Sequence, residues 1–139
     1  MRSMAGLVSP PGAQQWRKFS VDVSEFSQSD FDQDNELFQL QAGEVIHATK
    51  IKHGASWTGG TVSEAYLSIG VAGDLTRYAS PFDVFQAPGN QTFQLTDGFG
   101  SENHGGTTSI RIELTTNGGF ISTLTTGTAD IWVLISKAV

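Results

Sequence analysis

The chain contains no cysteine, few basic residues and no long apolar run. Without cysteine, neither a disulfide framework nor a thiolate metal site can form. The 139 residues carry 14 acidic and 8 basic side chains, and the net charge of −6 disfavours nucleic acid and anionic membranes as partners. No segment approaches the roughly 20 consecutive apolar residues of a membrane helix, and the apolar stretch at residues 5–8 is too short for a signal-peptide core. We therefore expect synthesis in the cytoplasm, with no membrane or nucleic-acid partner.

Residues 107–136 carry the clearest structural pattern. Ile110, Ile112 and Leu114 alternate with charged residues, which predicts a half-buried β-strand. The Asn117–Gly119 triplet supplies turn residues that tolerate positive φ. Ile131–Ile135 is a continuous apolar run, which predicts a strand that is covered on both faces.

The rest of the chain also favours strands and turns, because it is rich in glycine (16 residues) and in β-branched residues. About eight strands are predicted from Trp16 onward, whereas residues 22–37 and 73–81 are predicted to be loops. This pattern indicates an all-β fold, an antiparallel β-sandwich, for which a jelly roll is one arrangement. We predict one sandwich domain at 16–139 and an extended N-terminal arm at 1–15, where prolines block regular structure. The alternative for the arm is a disordered terminus.

An acidic run at residues 30–36 is the best candidate for a metal site. Alternate carboxylates at its start, those of Asp30, Asp32 and Asp34, have the opening spacing of a calcium loop. The later positions do not fit, because Asn35 stands where that loop needs glycine and Gln41 stands where it needs glutamate. We therefore interpret the run as a solvated acidic loop and predict no metal or cofactor.

No pattern in the sequence predicts catalysis. His47, His53 and His104 are not at metal-site spacing with one another, so each is interpreted as a satisfied structural histidine. The sequence lacks a Gly-x-Ser-x-Gly nucleophile elbow and a phosphate-binding loop. A spatial carboxylate pair for glycoside cleavage stays open as a minor alternative.

Four aromatic residues could form a platform for stacking sugars: Trp57, Tyr66, Tyr78 and Trp132. The competing interpretation is that they pack in the core or at an interface, which aromatic side chains commonly do. A carbohydrate-binding module is therefore a secondary hypothesis.

Several segments, in their order and spacing, resemble the small β-sandwich virion proteins of tailed bacteriophages. The resemblance spans about residues 37–136 and is strongest to capsid decoration (cement) proteins. The segments that carry it are Leu40–Ile46, Trp57–Val62, Ala65–Asp74 with Tyr78, Ile110–Thr116, Gly118-Gly119, Leu124-Thr125 and Ala129–Val133.

The resemblance implies a non-enzymatic structural protein that binds the outer capsid surface, stabilises the contacts between capsomers and forms a homotrimer. Its implied partner is the major capsid protein, and its implied location is the surface of the virion. A tail, neck or fibre component of the virion is the alternative. We expect the contacts to come from apolar groups in the arm and from exposed aromatics, namely Leu7, Val8, Pro10, Pro11, Trp16 and Trp57.

Overall fold

The computed structural model describes residues 14–85, 91–95 and 106–137, which form eight β-strands and two single-turn 3₁₀ helices. Among these residues, no helix has the length and apolar character needed to cross a membrane. The strands are β1 (Gln15–Asp22), β2 (Asp32–Leu40), β3 (Glu44–His53), β4 (Glu64–Val71), β5 (Asp74–Asp83), β6 (Gln91–Leu95), β7 (Thr108–Asn117) and β8 (Thr128–Lys137). The 3₁₀ helices are Val23–Glu25 and Ile121–Thr123.

The strands form two four-stranded antiparallel sheets. One sheet has the order β1-β8-β3-β6 and the other has the order β2-β7-β4-β5. The buried residues of both sheets belong to one hydrophobic cluster, so the sheets pack face to face. This arrangement confirms the predicted antiparallel β-sandwich and the predicted number of strands.

The alternating strand patterns hold in the structure. Ile110 and Leu114 of β7 are fully buried, and the charged side chains between the buried positions point to the outer face. On β4, Ala65, Leu67 and Ile69 are fully buried in the same way. In both strands the period-two pattern specifies which face packs on the core.

Trp57 is buried in the hydrophobic core. It is 0% exposed, its indole Nε1 donates to the Thr128 carbonyl (3.1 Å), and its ring packs edge-on against Phe26 with centroids 5.7 Å apart. Gly127 lies against the same ring, where an added Cβ would be 2.5 Å from Trp57 Cδ2. Glycine is therefore required at position 127 for the indole to occupy its site.

Both predicted loops contain strands. Residues 22–37 hold a 3₁₀ turn and most of β2, and residues 73–81 lie largely within β5. On β2 the inward side chain of Gln33 is polar, and its Oε1 accepts hydrogen bonds from the backbone N–H groups of Ser27 and Gln28 (3.0 Å each). An inward amide that satisfies backbone groups produces no apolar alternation, which is why the sequence pattern did not indicate this strand.

The chain after β7 crosses between the sheets instead of returning as a hairpin. Gly118 has φ of 84°, as the predicted turn requires, but β8 belongs to the opposite sheet. On β8, Ile131 and Val133 are buried in the core, whereas Trp132 and Leu134 are only half-buried on the outer face. The prediction that this strand is covered on both faces is therefore wrong for the described residues.

Candidate interaction surfaces

Three large apolar side chains are exposed in the part of the chain that the structure describes. Trp16 is 46% exposed, Phe31 is 46% exposed and Phe120 is 43% exposed. Exposed aromatic side chains are common anchors in protein interfaces, so their surroundings define the candidate contact surfaces.

Phe31 and Phe120 form an aromatic pair at one end of the sandwich, with ring centroids 4.8 Å apart and a 55° tilt between the planes. The loops that carry them are held by backbone hydrogen bonds, from Thr116 N–H to the Phe31 carbonyl (2.8 Å) and from Ile121 N–H to the Asp30 carbonyl (2.9 Å). The pair is therefore exposed and apolar, and backbone hydrogen bonds hold the two loops that carry it.

A second surface lies on the outer face of β1, β8 and β3. We call it the lysine–tryptophan face, and it consists of Trp16, Lys18, Lys50, Trp132 and Leu134. Trp132 is in register with Lys18 on one side and with Lys50 on the other. The two ammonium groups lie 5.4 Å and 4.9 Å from the centroid of the Trp132 ring, which is cation–π geometry.

The apolar part of this face continues one row along the strands. Trp16 is in register with Leu134 on β8, and Leu134 is half-buried on the same outer face as Trp132. Lys18 also lies 3.8 Å from the Asp130 carboxylate, an exposed ion pair of small energetic value. The face thus joins two indole rings and two lysines on neighbouring strands.

The opposite outer surface is acidic. We call it the acidic face, and it consists of Asp32, Asp34, Glu36, Arg111 and Glu113 on β2 and β7. Arg111 Nε donates to Asp34 Oδ2 (2.9 Å), and Glu113 is in register with Asp34. Partial burial, together with the negative charges of Asp32 and Asp34, raises the pKa of Glu113 above its ordinary value. The carboxylates of this face therefore repel one another, and one arginine offsets only part of that repulsion.

The acidic run at residues 30–36 is mostly strand, so the interpretation as a solvated loop is wrong. Asp32 and Asp34 lie on the outer face of β2, whereas Asp30 precedes the strand and accepts a hydrogen bond from the Phe31 N–H (2.7 Å). A strand holds these carboxylates apart, because it cannot wrap them around one ion as a calcium loop does. Within the described ranges, no group of three or more His, Asp or Glu side chains is placed to hold a metal.

The predicted contact residues differ in their exposure. Trp16 is exposed, as an interface residue must be, whereas the expected exposure of Trp57 is wrong because its side chain is entirely in the core. The remaining predicted contacts, Leu7, Val8, Pro10 and Pro11, lie outside the described residues.

The predicted sugar platform is not assembled. Trp57 is 0% exposed and Tyr78 is 3% exposed, so neither can stack on a ligand. Tyr66 and Trp132 are half-buried on strands of different sheets. The core-packing interpretation is correct for the two buried members of the set.

The histidines also differ from one another. His47 Nε2 lies 2.6 Å from Ser136 Oγ, which satisfies this nitrogen, as expected for a structural histidine. His53 is 1% exposed, and among residues 14–85, 91–95 and 106–137 neither of its ring nitrogens has a hydrogen-bond partner, so within these ranges the prediction that it is satisfied is wrong. His104 lies outside the described residues.

Sequence reasoning missed the Phe31–Phe120 pair and the lysine–tryptophan face. Residues distant in sequence form both surfaces, and the register of β1 and β3 on β8 creates the second one. The only signal in the sequence was that Trp16 and Lys18 stand two positions apart, which places them on the same side of β1. This alternation does not show which residues of a neighbouring strand lie beside them, so the face cannot be predicted before the strand pairing is known.

Known structures share this fold, although no protein-family model and no curated protein sequence matches the chain. A chain in the capsid asymmetric unit of cyanophage Pam1 is 21% identical, with a TM-score of 0.64, over 99% of this chain and 97% of that one. A chain in the capsid of Ralstonia phage GP4 is 13% identical, with a TM-score of 0.65, over 96% of this chain and 90% of that one. At these identities the similarity establishes a shared fold along nearly the whole length of the chain.

Proposed function

We propose that this chain is a structural protein of a phage virion, and specifically a capsid decoration protein that binds the outer capsid surface and stabilises the contacts between capsomers. The observation that carries the proposal is the fold match to chains from two phage capsids, which covers at least 96% of this chain and at least 90% of each of the others. The match extends over almost the whole of this chain and of each capsid chain, which supports a structural role in a capsid.

The strand order supports the same proposal. The sheet orders β1-β8-β3-β6 and β2-β7-β4-β5 support an eight-stranded jelly roll, an architecture that recurs in viral capsid domains. We therefore propose a jelly roll as the finer description of the sandwich. Fold alone does not specify function, so the surfaces carry the rest of the proposal.

The action proposed for a decoration protein is thermodynamic. A protein that binds only the assembled shell stabilises that shell by mass action, without any chemical step. We assign it the major capsid protein as partner, the capsid surface of the virion as location and the host cytoplasm as site of synthesis. No catalytic role is proposed.

The oligomer that we propose is the homotrimer that the resemblance to decoration proteins implies, which has the closed cyclic symmetry usual in homo-oligomers. The contacts of the protein with the shell are assigned to the N-terminal arm, through Leu7, Val8, Pro10 and Pro11, and to Trp16 at the start of β1. Light scattering after size exclusion should give three times the monomer mass of 14.9 kDa, about 45 kDa. A monomer mass at all concentrations would contradict the trimer without affecting the proposed location.

Binding to shells tests the function directly. Purified protein is mixed with capsid shells that lack it, the shells are sedimented, and both the bound amount and the shell melting temperature are measured. We expect saturable binding at hundreds of sites per shell and a rise in shell melting temperature. Absence of binding would contradict the proposal, and saturation at only a few sites would favour a tail, neck or fibre position. The carbohydrate-binding alternative is weakened because two of its four aromatic residues are buried.

A further inference from the structure

The strands of the two sheets differ in charge. Strands β1, β3 and β8 carry five basic and three acidic residues, whereas β2, β4, β5 and β7 carry seven acidic and two basic residues. The chain as a whole has a net charge of −6, so the excess of positive charge on the first set of strands is a local exception. Such segregation sets the orientation in which the molecule meets a charged surface.

The faces also differ in apolar area. The lysine–tryptophan face presents Trp16 at 46% exposure beside the half-buried Leu134 and Trp132, within a patch that spans three strands, about 10 Å across. The acidic face is formed by side chains that are all charged. Stable docking requires apolar surface that can be removed from water, and tryptophan is among the residue types that are enriched at the centre of such contacts.

We propose that the lysine–tryptophan face is the docking surface of this protein and that its occupant is an acidic protein surface. Apolar area selects this face over the acidic face, and the ammonium groups of Lys18 and Lys50 select carboxylates on the partner. Under the proposed function, on which this inference rests, the occupant is the outer surface of the capsid shell and the acidic face points away from it.

A second copy of the chain is the competing occupant, because its acidic face is also complementary in charge. The two faces lie on opposite sides of the sandwich, so contacts of that kind would repeat in one direction and build open stacks. A decoration protein that occupies a fixed number of sites on a shell does not require such stacks. The shell is therefore the occupant to which the proposal commits.

The experiment measures binding to isolated capsid shells by co-sedimentation at two salt concentrations. Lys50→Glu should weaken binding about tenfold or more, and adding Lys18→Glu should weaken it further, because each reversal opposes carboxylates of the partner. Lys50→Arg should retain binding, since it keeps the positive charge above the Trp132 ring. Lys137→Glu, a reversal of the same sign at the end of β8 and outside the face, is the matched control and should bind like the wild type.

Trp16→Ser tests the apolar part of the face without changing charge, and it should weaken binding about tenfold while leaving the melting temperature nearly unchanged. Melting of every variant, followed by circular dichroism, separates loss of docking from loss of folding. Higher salt should weaken the wild type more than the Lys18→Glu/Lys50→Glu variant.

The outcomes distinguish this inference from the proposed function. If the wild type does not bind shells, the proposed function fails and the inference fails with it. If the wild type binds and folded Lys18→Glu/Lys50→Glu and Trp16→Ser bind equally well, only the inference is overturned. The wild type could also form large species as its concentration rises. If these substitutions abolish those species and leave shell binding unchanged, the occupant of the face is a second copy of the chain, and the inference is overturned.

Discussion

Replacement of Trp57 by alanine should destabilise the protein without removing a contact residue. The indole is 0% exposed and packs against Phe26 and the backbone of Gly127, so alanine leaves a large apolar cavity. A buried tryptophan removes about 200 Å² from water, worth about 5 kcal/mol as an upper value, and measured Trp→Ala substitutions cost about 3–5 kcal/mol. The lost indole hydrogen bond adds little, because the Thr128 carbonyl still accepts from Gly54 N–H (3.0 Å).

For a domain of this size, about 3–5 kcal/mol corresponds to a decrease of roughly 10–20 °C in melting temperature. Thermal and urea unfolding followed by circular dichroism would measure the decrease, with Trp16→Ala as the matched control that should cost less than about 1 kcal/mol. The melting temperature of Trp57→Phe should lie between those of Trp57→Ala and Trp16→Ala. If Trp57→Ala melts like the wild type but binds shells poorly, Trp57 is a contact residue and the assignment to the core is refuted.

Three further substitutions test separate features of the structure. His53→Leu should be neutral or should raise the free energy of unfolding by about 1 kcal/mol, because it removes two buried nitrogens that have no partner in the part of the chain that the structure describes. A loss above about 2 kcal/mol in urea titration would show that the ring is hydrogen-bonded. Arg17→Ala should cost about 1–3 kcal/mol in the same assay, because it leaves the buried Glu44 carboxylate without its ion pair, although exposure of the arginine limits the effect. Glu113→Gln should raise the melting temperature at pH 7. The pKa of Glu113 is raised in the folded state, so its ionisation lowers stability as pH rises from the ordinary value near 4.5 through the folded value. The gain should therefore vanish below about pH 4, and a gain that does not depend on pH would contradict this electrostatic origin.

The sandwich could be predicted because most of its strands bury apolar side chains at every second position. Strand β4 was predicted from apolar residues at alternate positions, and all three are buried: Ala65, Leu67 and Ile69. Strand β7 was predicted in the same way, and Ile110 and Leu114 are buried there. Alternation is a local property, so it can be read without knowing the neighbouring strands. The number of strands and the fold class follow from such local signals.

The surfaces could not be predicted, because they depend on which strands are neighbours. Lys18, Trp132 and Lys50 are separated by up to 114 positions in sequence and meet only through the register of β1 and β3 on β8. Trp57 was expected to be exposed because it stands in a polar segment between glycines. The core nevertheless holds it, since Gly127 leaves room for its ring. Tertiary packing overrides local polarity in both cases.

The copy number of the chain in purified virions tests the central claim most directly. Quantitative mass spectrometry with isotope-labelled peptides of this chain and of the major capsid protein gives the ratio of the two. Capsid decoration predicts hundreds of copies per virion, comparable with the major capsid protein. About three to eighteen copies would place the protein in the tail, neck or a fibre, and absence from the particle would contradict a virion role altogether.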